Sequence, residues 1–186
     1  MKSPKHVLTG ICILFLFIGC TAKTIKTVDV GNPENCKNKL LIAVQESRFK
    51  NAIVEKMTSD LRPDCCFLRR IDVADLESES DKNYEAVVII NKMKWMKIND
   101  TVKDYLSSVS DKAKFVVLTT TGKKGRIAEI TGFDALSSAS TSREKADQLA
   151  VAMSAKVRRL FQPPGAVDSN WDNKDEIGCH DGSNGD

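Results

Sequence analysis

The sequence predicts a three-layer α/β fold around a mostly parallel sheet, and three observations carry that expectation. Leu40, Leu41, Ile42, Ala43 and Val44 form an unbroken apolar run, which suits a parallel strand covered on both faces, because neither face meets water. A helical period follows at once: Phe49, Ala52, Ile53, Met57 and Leu61 fall on one stripe, with Lys50, Glu55, Lys56 and Asp60 off it. Strand and helix patterns then alternate along the chain, and a βαβαβ order implies parallel pairing through right-handed crossovers. The 186 residues are enough for one domain with a proper core and few for two.

At the start of the chain, Lys2, Lys5 and His6 precede a twelve-residue apolar run over 7–18. As a helix that run covers ~18 Å against a hydrocarbon core of ~30 Å, so it reads as the core of a signal peptide rather than as a membrane span. It closes on Leu16-Phe17-Ile18-Gly19-Cys20, which resembles the lipobox of bacterial lipoproteins: an apolar residue, a small residue at the cleavage site, then the cysteine that is acylated. Phe17 stands where Leu is usual. The resemblance implies a signal peptide over 1–19, lipidation of Cys20 with palmitate, and a mature chain outside the cytoplasm. Thr21 in place of the Asp that retains such proteins at the inner membrane implies the periplasmic face of the outer membrane in a Gram-negative host. The alternative is a plain secretory signal with an incidental cysteine. Without Lys2 and Lys5, 26 basic residues face 25 acidic ones, and this near-neutrality argues against a nucleic-acid partner.

Residues 20–38 read as the lipidated terminus and a polar tether, punctuated by Gly31-Asn32-Pro33. The folded domain is expected over 39–161. After the first strand and helix, Arg62-Pro63-Asp64 stops the helix, and a more polar strand follows over 65–73, where Arg69 and Arg70 suggest a sheet edge. An acidic connection leads to the strongly apolar strand over 84–90. Asp100 is expected to cap a helix with Val102, Tyr105, Leu106 and Val109 on one face, and residues 114–119 make the fourth strand.

The order of these elements, the Asp72-Val73-x-Asp75-Leu76 run and the Tyr84-x-Ala86-Val87-Val88-Ile89 strand together resemble the flavodoxin-like fold. The resemblance covers about 39–161. It implies strand order 2-1-3-4-5 and an FMN site at the carboxyl ends of the strands, where the order reverses. One departure is expected. Only Gly122-Lys123-Lys124-Gly125-Arg126 separate Thr121 from Ile127, whereas a parallel crossover needs ~10 to 12 residues. The sheet is therefore read as 2-1-3-4 with an antiparallel fifth edge strand over 126–133, closed by a glycine-flanked hairpin. Thr141-Ser142-Arg143-Glu144 opens the last helix, whose stripe is Ala146, Leu149, Ala150, Met153, Val157 and Leu160. Residues 162–186 carry several acidic residues against Lys174 alone and are expected to be a disordered tail.

The chemistry-bearing residues are few. His6 is expected to leave with the signal and His180 lies in the tail, so no metal site built on imidazole and no histidine-dependent catalytic machinery is expected. Asp72, Asp75, Glu77 and Glu79 read as a solvated acidic face. Trp95 follows the third strand, where the resemblance implies an aromatic against a flavin; packing over the sheet end is the plainer reading. The run 134–142 resembles the Asp-x-x-Ser-Gly-Ala-Thr pattern on which extracytoplasmic flavoproteins carry covalent FMN, and Ser140 would be the acceptor. Its plainer reading is a hydroxyl-rich cap for the last helix. Ser47 is the one hydroxyl in the turn after the first strand, which has no glycine and contains Glu46. That composition argues against noncovalent FMN, while Arg48 and Lys50 argue for an anion.

In the flavodoxin-like fold the first two strands are parallel neighbours whose starts lie ~5 Å apart. Cys36 is therefore expected to pair with Cys65 or Cys66 in an oxidising compartment. The absence of a Cys-x-x-Cys spacing ranks a thiol oxidoreductase last. The sequence thus points to a lipid-anchored envelope protein with a non-catalytic binding or accessory domain, no cofactor and an envelope protein as partner. The alternative is an FMN-carrying electron-transfer protein.

Overall fold

The computed structural model describes residues 25–34, 36–93, 97–121, 132–139 and 141–163. Its six strands are β1 (Val28–Gly31), β2 (Lys39–Val44), β3 (Phe67–Asp72), β4 (Ala86–Lys92), β5 (Phe115–Thr120) and β6 (Asp134–Ser138), and its helices are α1 (Arg48–Leu61), α2 (Asp100–Ser108) and α3 (Arg143–Phe161). They form one sheet in the order β1-β3-β2-β4-β5-β6. Every pairing is parallel except that of β1 with β3. Counting the parallel strands alone, the order is 2-1-3-4-5, as the resemblance implies.

The layers follow from side-chain alternation along the strands. Leu40, Ile42 and Val44 on β2, Val88 and Ile90 on β4, and Val116 and Leu118 on β5 pack under Ile53, Val54 and Met57 of α1 and Ala150, Met153 and Val157 of α3. The alternate residues Leu41, Ala43, Val87, Ile89 and Val117 pack under Val102, Tyr105 and Leu106 of α2 and under Val73 and Leu76, which lie in a 3₁₀ turn after β3. A strand buried on both faces has no polar alternation to display, and β2 and β4 show none.

Four expectations need correction. The antiparallel strand is not the fifth at the far edge: β6 runs parallel to β5, with Val116 opposite Asp134 and Thr120 opposite Ser138. The physical reason is length. The connection from Thr121 to Phe133 is thirteen residues, which meets the need of a parallel crossover; residues 122–131 lie outside those described. Second, Val28–Gly31, within the segment read as tether, is the antiparallel edge strand. Gly31 closes it at φ +90°, where an added Cβ would run into the Cys66 carbonyl oxygen, so the close approach of this strand end depends on glycine.

Third, β3 is therefore not an edge. Its arginines are matched by neighbours instead: Arg69 pairs with Asp29 on β1 at 2.8 Å and with Glu79 at 3.0 Å, and Arg70 donates to Asn51 Oδ1 at 2.9 Å. Fourth, the N-cap of α2 is Asn99, whose side chain accepts from the Thr101 N–H, and Asp100 is the first helical residue.

Cys36 forms a disulfide with Cys66, across a Cα separation of 5.6 Å. Cys65 and Cys66 stand just before β3, and it is Cys66 that meets Cys36. Cys65 is free, packs toward the α1/α3 side, and its thiol donates to the Phe67 carbonyl at 2.9 Å.

Candidate functional site

Among the described residues, the buried polar side chains sort to one end of the molecule. Apart from Ser154 on α3, they are Asp72, Asn91, Thr119, Thr120, Thr121 and Ser138, at the carboxyl ends of β3, β4, β5 and β6, together with Lys50 in the first turn of α1. That end is where open α/β sheets place their ligands, and the order reverses between β2 and β4.

Lys50 is the unexpected member. Its side chain is 2% exposed, and it begins the core-facing row of α1 that continues through Ile53, Val54, Met57 and Leu61. Helical side chains lean toward the helix N-terminus, which carries the amine from the core to the strand ends. Burial pushes it down from the ordinary lysine value to about 8, the Lys92 cation pushes the same way, and the Asp72 carboxylate opposes both. Asp72 itself is turned toward backbone donors, accepting from Ala74 at 2.9 Å and from Ile25 at 3.1 Å. Asp72 is thus buried rather than part of a solvated acidic face, unlike the exposed Asp75 and Glu77.

The polarity of lysine hid this residue in the sequence, since a charged side chain is normally placed off an apolar stripe. The signal was Val54: with it included, the row 50, 53, 54, 57 and 61 keeps helical spacing better than one starting at Phe49, which is half-buried.

The loop between β2 and α1 is three residues, Gln45, Glu46 and Ser47. The Gln45 N–H donates to the Ile90 carbonyl at 3.0 Å, and the Gln45 side-chain oxygen accepts from the Lys92 N–H at 3.0 Å. The β2–β4 ladder is thereby carried one step past the strands, across the point where the order reverses. The Ser47 hydroxyl accepts from the Lys50 N–H at 3.2 Å, and its carbonyl from the Asn51 N–H at 2.9 Å. Ser47 is a helix N-cap. Replacing it with Ala is expected to cost ~1 kcal/mol of stability, read as a lower urea midpoint at unchanged slope.

Beside the loop, Asn91 Nδ2 donates to Thr119 Oγ1 at 3.1 Å, Thr120 Oγ1 donates to the Asn91 carbonyl at 3.2 Å, and Asn91 Oδ1 is buried without a partner. Of the remaining sequence candidates, Trp95, Ser140 and Cys20 lie outside the described residues.

The loop after β2 has no glycine, its Ser47 hydroxyl accepts from the Lys50 N–H, and the Gln45 side chain reaches the Lys92 N–H. What the site does offer is a buried amine under the opposing influence of a second cation, Lys92, and the Asp72 carboxylate. Among the described residues no group of three or more His, Cys, Asp and Glu is arranged to hold a metal ion.

The doubly covered parallel sheet of order 2-1-3-4-5 defines the α/β, flavodoxin-like fold. No protein-family model and no curated protein matches the sequence. Similar solved structures include the rubredoxin:oxygen oxidoreductase of Desulfovibrio gigas, at 9% identity and TM-score 0.50 over 67% of this chain and 36% of that one. The metal-soaked Flv1 flavodiiron core of Synechocystis sp. PCC6803 matches at 10% identity and TM-score 0.51, over 66% of this chain and 36% of that one. A flavodoxin from the domain Archaea matches at 12% identity and TM-score 0.44, over 64% and 99%. The chain thus spans about a third of the first two proteins, and at these identities the likeness is one of fold.

Proposed function

We propose that this protein is a lipid-anchored component of the cell envelope whose flavodoxin-like domain is a non-catalytic binding or accessory module without noncovalent FMN. The observation that carries the reading is the filled loop after β2, where Gln45 ties onto Lys92 and Ser47 caps α1. A phosphate on that helix would compete with the Gln45–Lys92 contact, and the loop has no glycine to open the backbone to it.

A second reading, an FMN-carrying electron-transfer protein, is favoured by Lys50 and Lys92, two cations near the N-terminus of α1. Covalent attachment at Ser140 would also leave the loop after β2 undisturbed. An absorption spectrum of protein made in a host that exports and flavinylates, taken before and after denaturing precipitation, separates these readings. Colourless fractions are expected. A yellow supernatant means bound FMN, and a yellow pellet means linkage at a residue such as Ser140; either overturns the cofactor-free reading.

The anchor is tested separately. Metabolic labelling with a palmitate analogue is expected in the parent and absent in Cys20→Ala, and equal labelling of the two removes the anchor.

A further inference from the structure

The four residues of β1 are exposed or half-buried, and neither buried cluster contains a residue before Leu40. Ile25 and Val30 only rest against the cluster beneath α1 and α3. The strand is therefore held by its ladder to β3 and by two polar contacts. Arg69 donates through Nε and Nη2 to the two Asp29 carboxylate oxygens, each at 2.8 Å, and the Ile25 N–H donates to Asp72 at 3.1 Å. The Arg69 and Asp29 side chains are 32% and 41% exposed, so solvent screens their attraction.

The chain beyond β1 is fastened in another way. Cys36 is joined covalently to Cys66, the Cys66 N–H donates to the Asn38 carbonyl at 3.2 Å, and Asn38 Nδ2 donates to the Asp64 carbonyl at 2.7 Å. Because β1 runs antiparallel to β3, with Val28 opposite Arg70 and Gly31 opposite Phe67, the entering chain meets the ladder at one end. A pull on that chain loads the pairs one after another, and they part more easily than pairs loaded together.

We propose that β1 is a releasable strap: under a pull from the anchored terminus the segment from Ile25 to Glu34 unpairs from β3 as a unit, the domain from β2 onward stays folded, and the Cys36–Cys66 bridge ends the release. The inference rests on reading Cys20 as the anchor. Release moves the first held residue from Ile25 to Cys36, eleven positions along the chain, and adds as much as ~40 Å of free chain. The domain then has two working distances from its anchor, a near one with β1 paired and a far one for a partner held deeper in the envelope.

Native-state hydrogen exchange on the full-length protein, in rising but low urea, tests the release without load. The protected amides of Val28–Gly31 are expected to exchange at least ~10-fold faster than those of Leu40–Val44, at a rate nearly independent of urea, because opening β1 uncovers little surface. Asp29→Ala is expected to speed exchange in β1 by about 2- to 5-fold and to leave β2 unchanged. Exchange of both strands at one rate with one urea dependence overturns the proposal, as does equal acceleration of both in Asp29→Ala. Pulled in an optical trap by handles on its two ends, the protein is expected to show an early step of roughly 40 Å that comes at lower force in Asp29→Ala. If no early step responds to that substitution, the strap is refuted; a responding step of much greater length refutes the stop at the bridge. Absence of palmitate on Cys20 refutes the anchor and leaves the exchange result standing, whereas failure of the exchange test refutes the strap alone.

Discussion

Raising the pH from 8 toward 10.5 is expected to stabilise the folded protein by about 3 kcal/mol through Lys50 alone. In the folded state this amine loses its proton near 8, and in the unfolded chain near 10.5. Between those values the unfolded state holds the extra proton, so stability rises with pH; below the window both states are charged and the burial cost is present in full. Three groups act the other way at the top of the range. Burial and neighbouring carboxylates raise Tyr84 and Tyr105, the latter to about 12, and burial raises the Cys65 thiol. Their unfolded forms ionise first, so they lower stability as pH climbs. Comparison with Lys50→Met isolates the lysine, because that variant keeps the opposing groups. It is expected to be more stable than the parent at pH 7 by a similar ~3 kcal/mol and to show no rise through pH 8. Urea unfolding followed by circular dichroism across the range measures both, and identical pH profiles for the two proteins would falsify the assignment.

Loss of the Cys36–Cys66 bridge is expected to have an effect of the same size. Its cysteines are separated by 30 positions, and in the chain-entropy model closing such a loop stabilises by ~3.5 kcal/mol. Cys36→Ala and Cys66→Ala should therefore each lower the melting temperature by on the order of 10 °C. Cys65→Ala removes only a half-buried thiol and its bond to Phe67, and should cost far less. Equal losses in all three variants would mean that the bridge is not the source of the effect.

The parts of the fold that the sequence announced are those with redundant signals. The run from Leu40 to Val44 is apolar on both faces, and α1 begins after an N-cap serine and ends before a proline. The two edge strands were illegible for opposite reasons. Val28–Gly31 is four residues long and mostly exposed, so its pairing partner, not its own pattern, makes it a strand. Asp134–Ser138 has a composition that favours turns and caps, yet Leu136 and Ser138 face the buried side and the Thr121 N–H meets the Ser138 carbonyl. The candidate site was half visible. Its lack of glycine and its single hydroxyl at Ser47 could be read directly, whereas the capping role of Ser47 and the burial of Lys50 required knowing where α1 starts and which way its first turn faces.

The direction of β1 also sets how the domain would sit on a bilayer. Val28 lies opposite Arg70 and Gly31 opposite Phe67, so the chain arrives at the carboxyl end of β3, and the Ile25 N–H is held there by Asp72. A lipid on Cys20 would stand five residues before Ile25, a reach of at most ~18 Å when fully extended. Under such an anchor the rim carrying Lys50 and Lys92 would lie at the tethered end of the domain, and the amino ends of the parallel strands at the other. Molecules would then gain the rim laterally, by skimming the gap between domain and membrane, and an envelope partner approaching from the aqueous side would meet the opposite end, where Lys114 and Asp81 are paired.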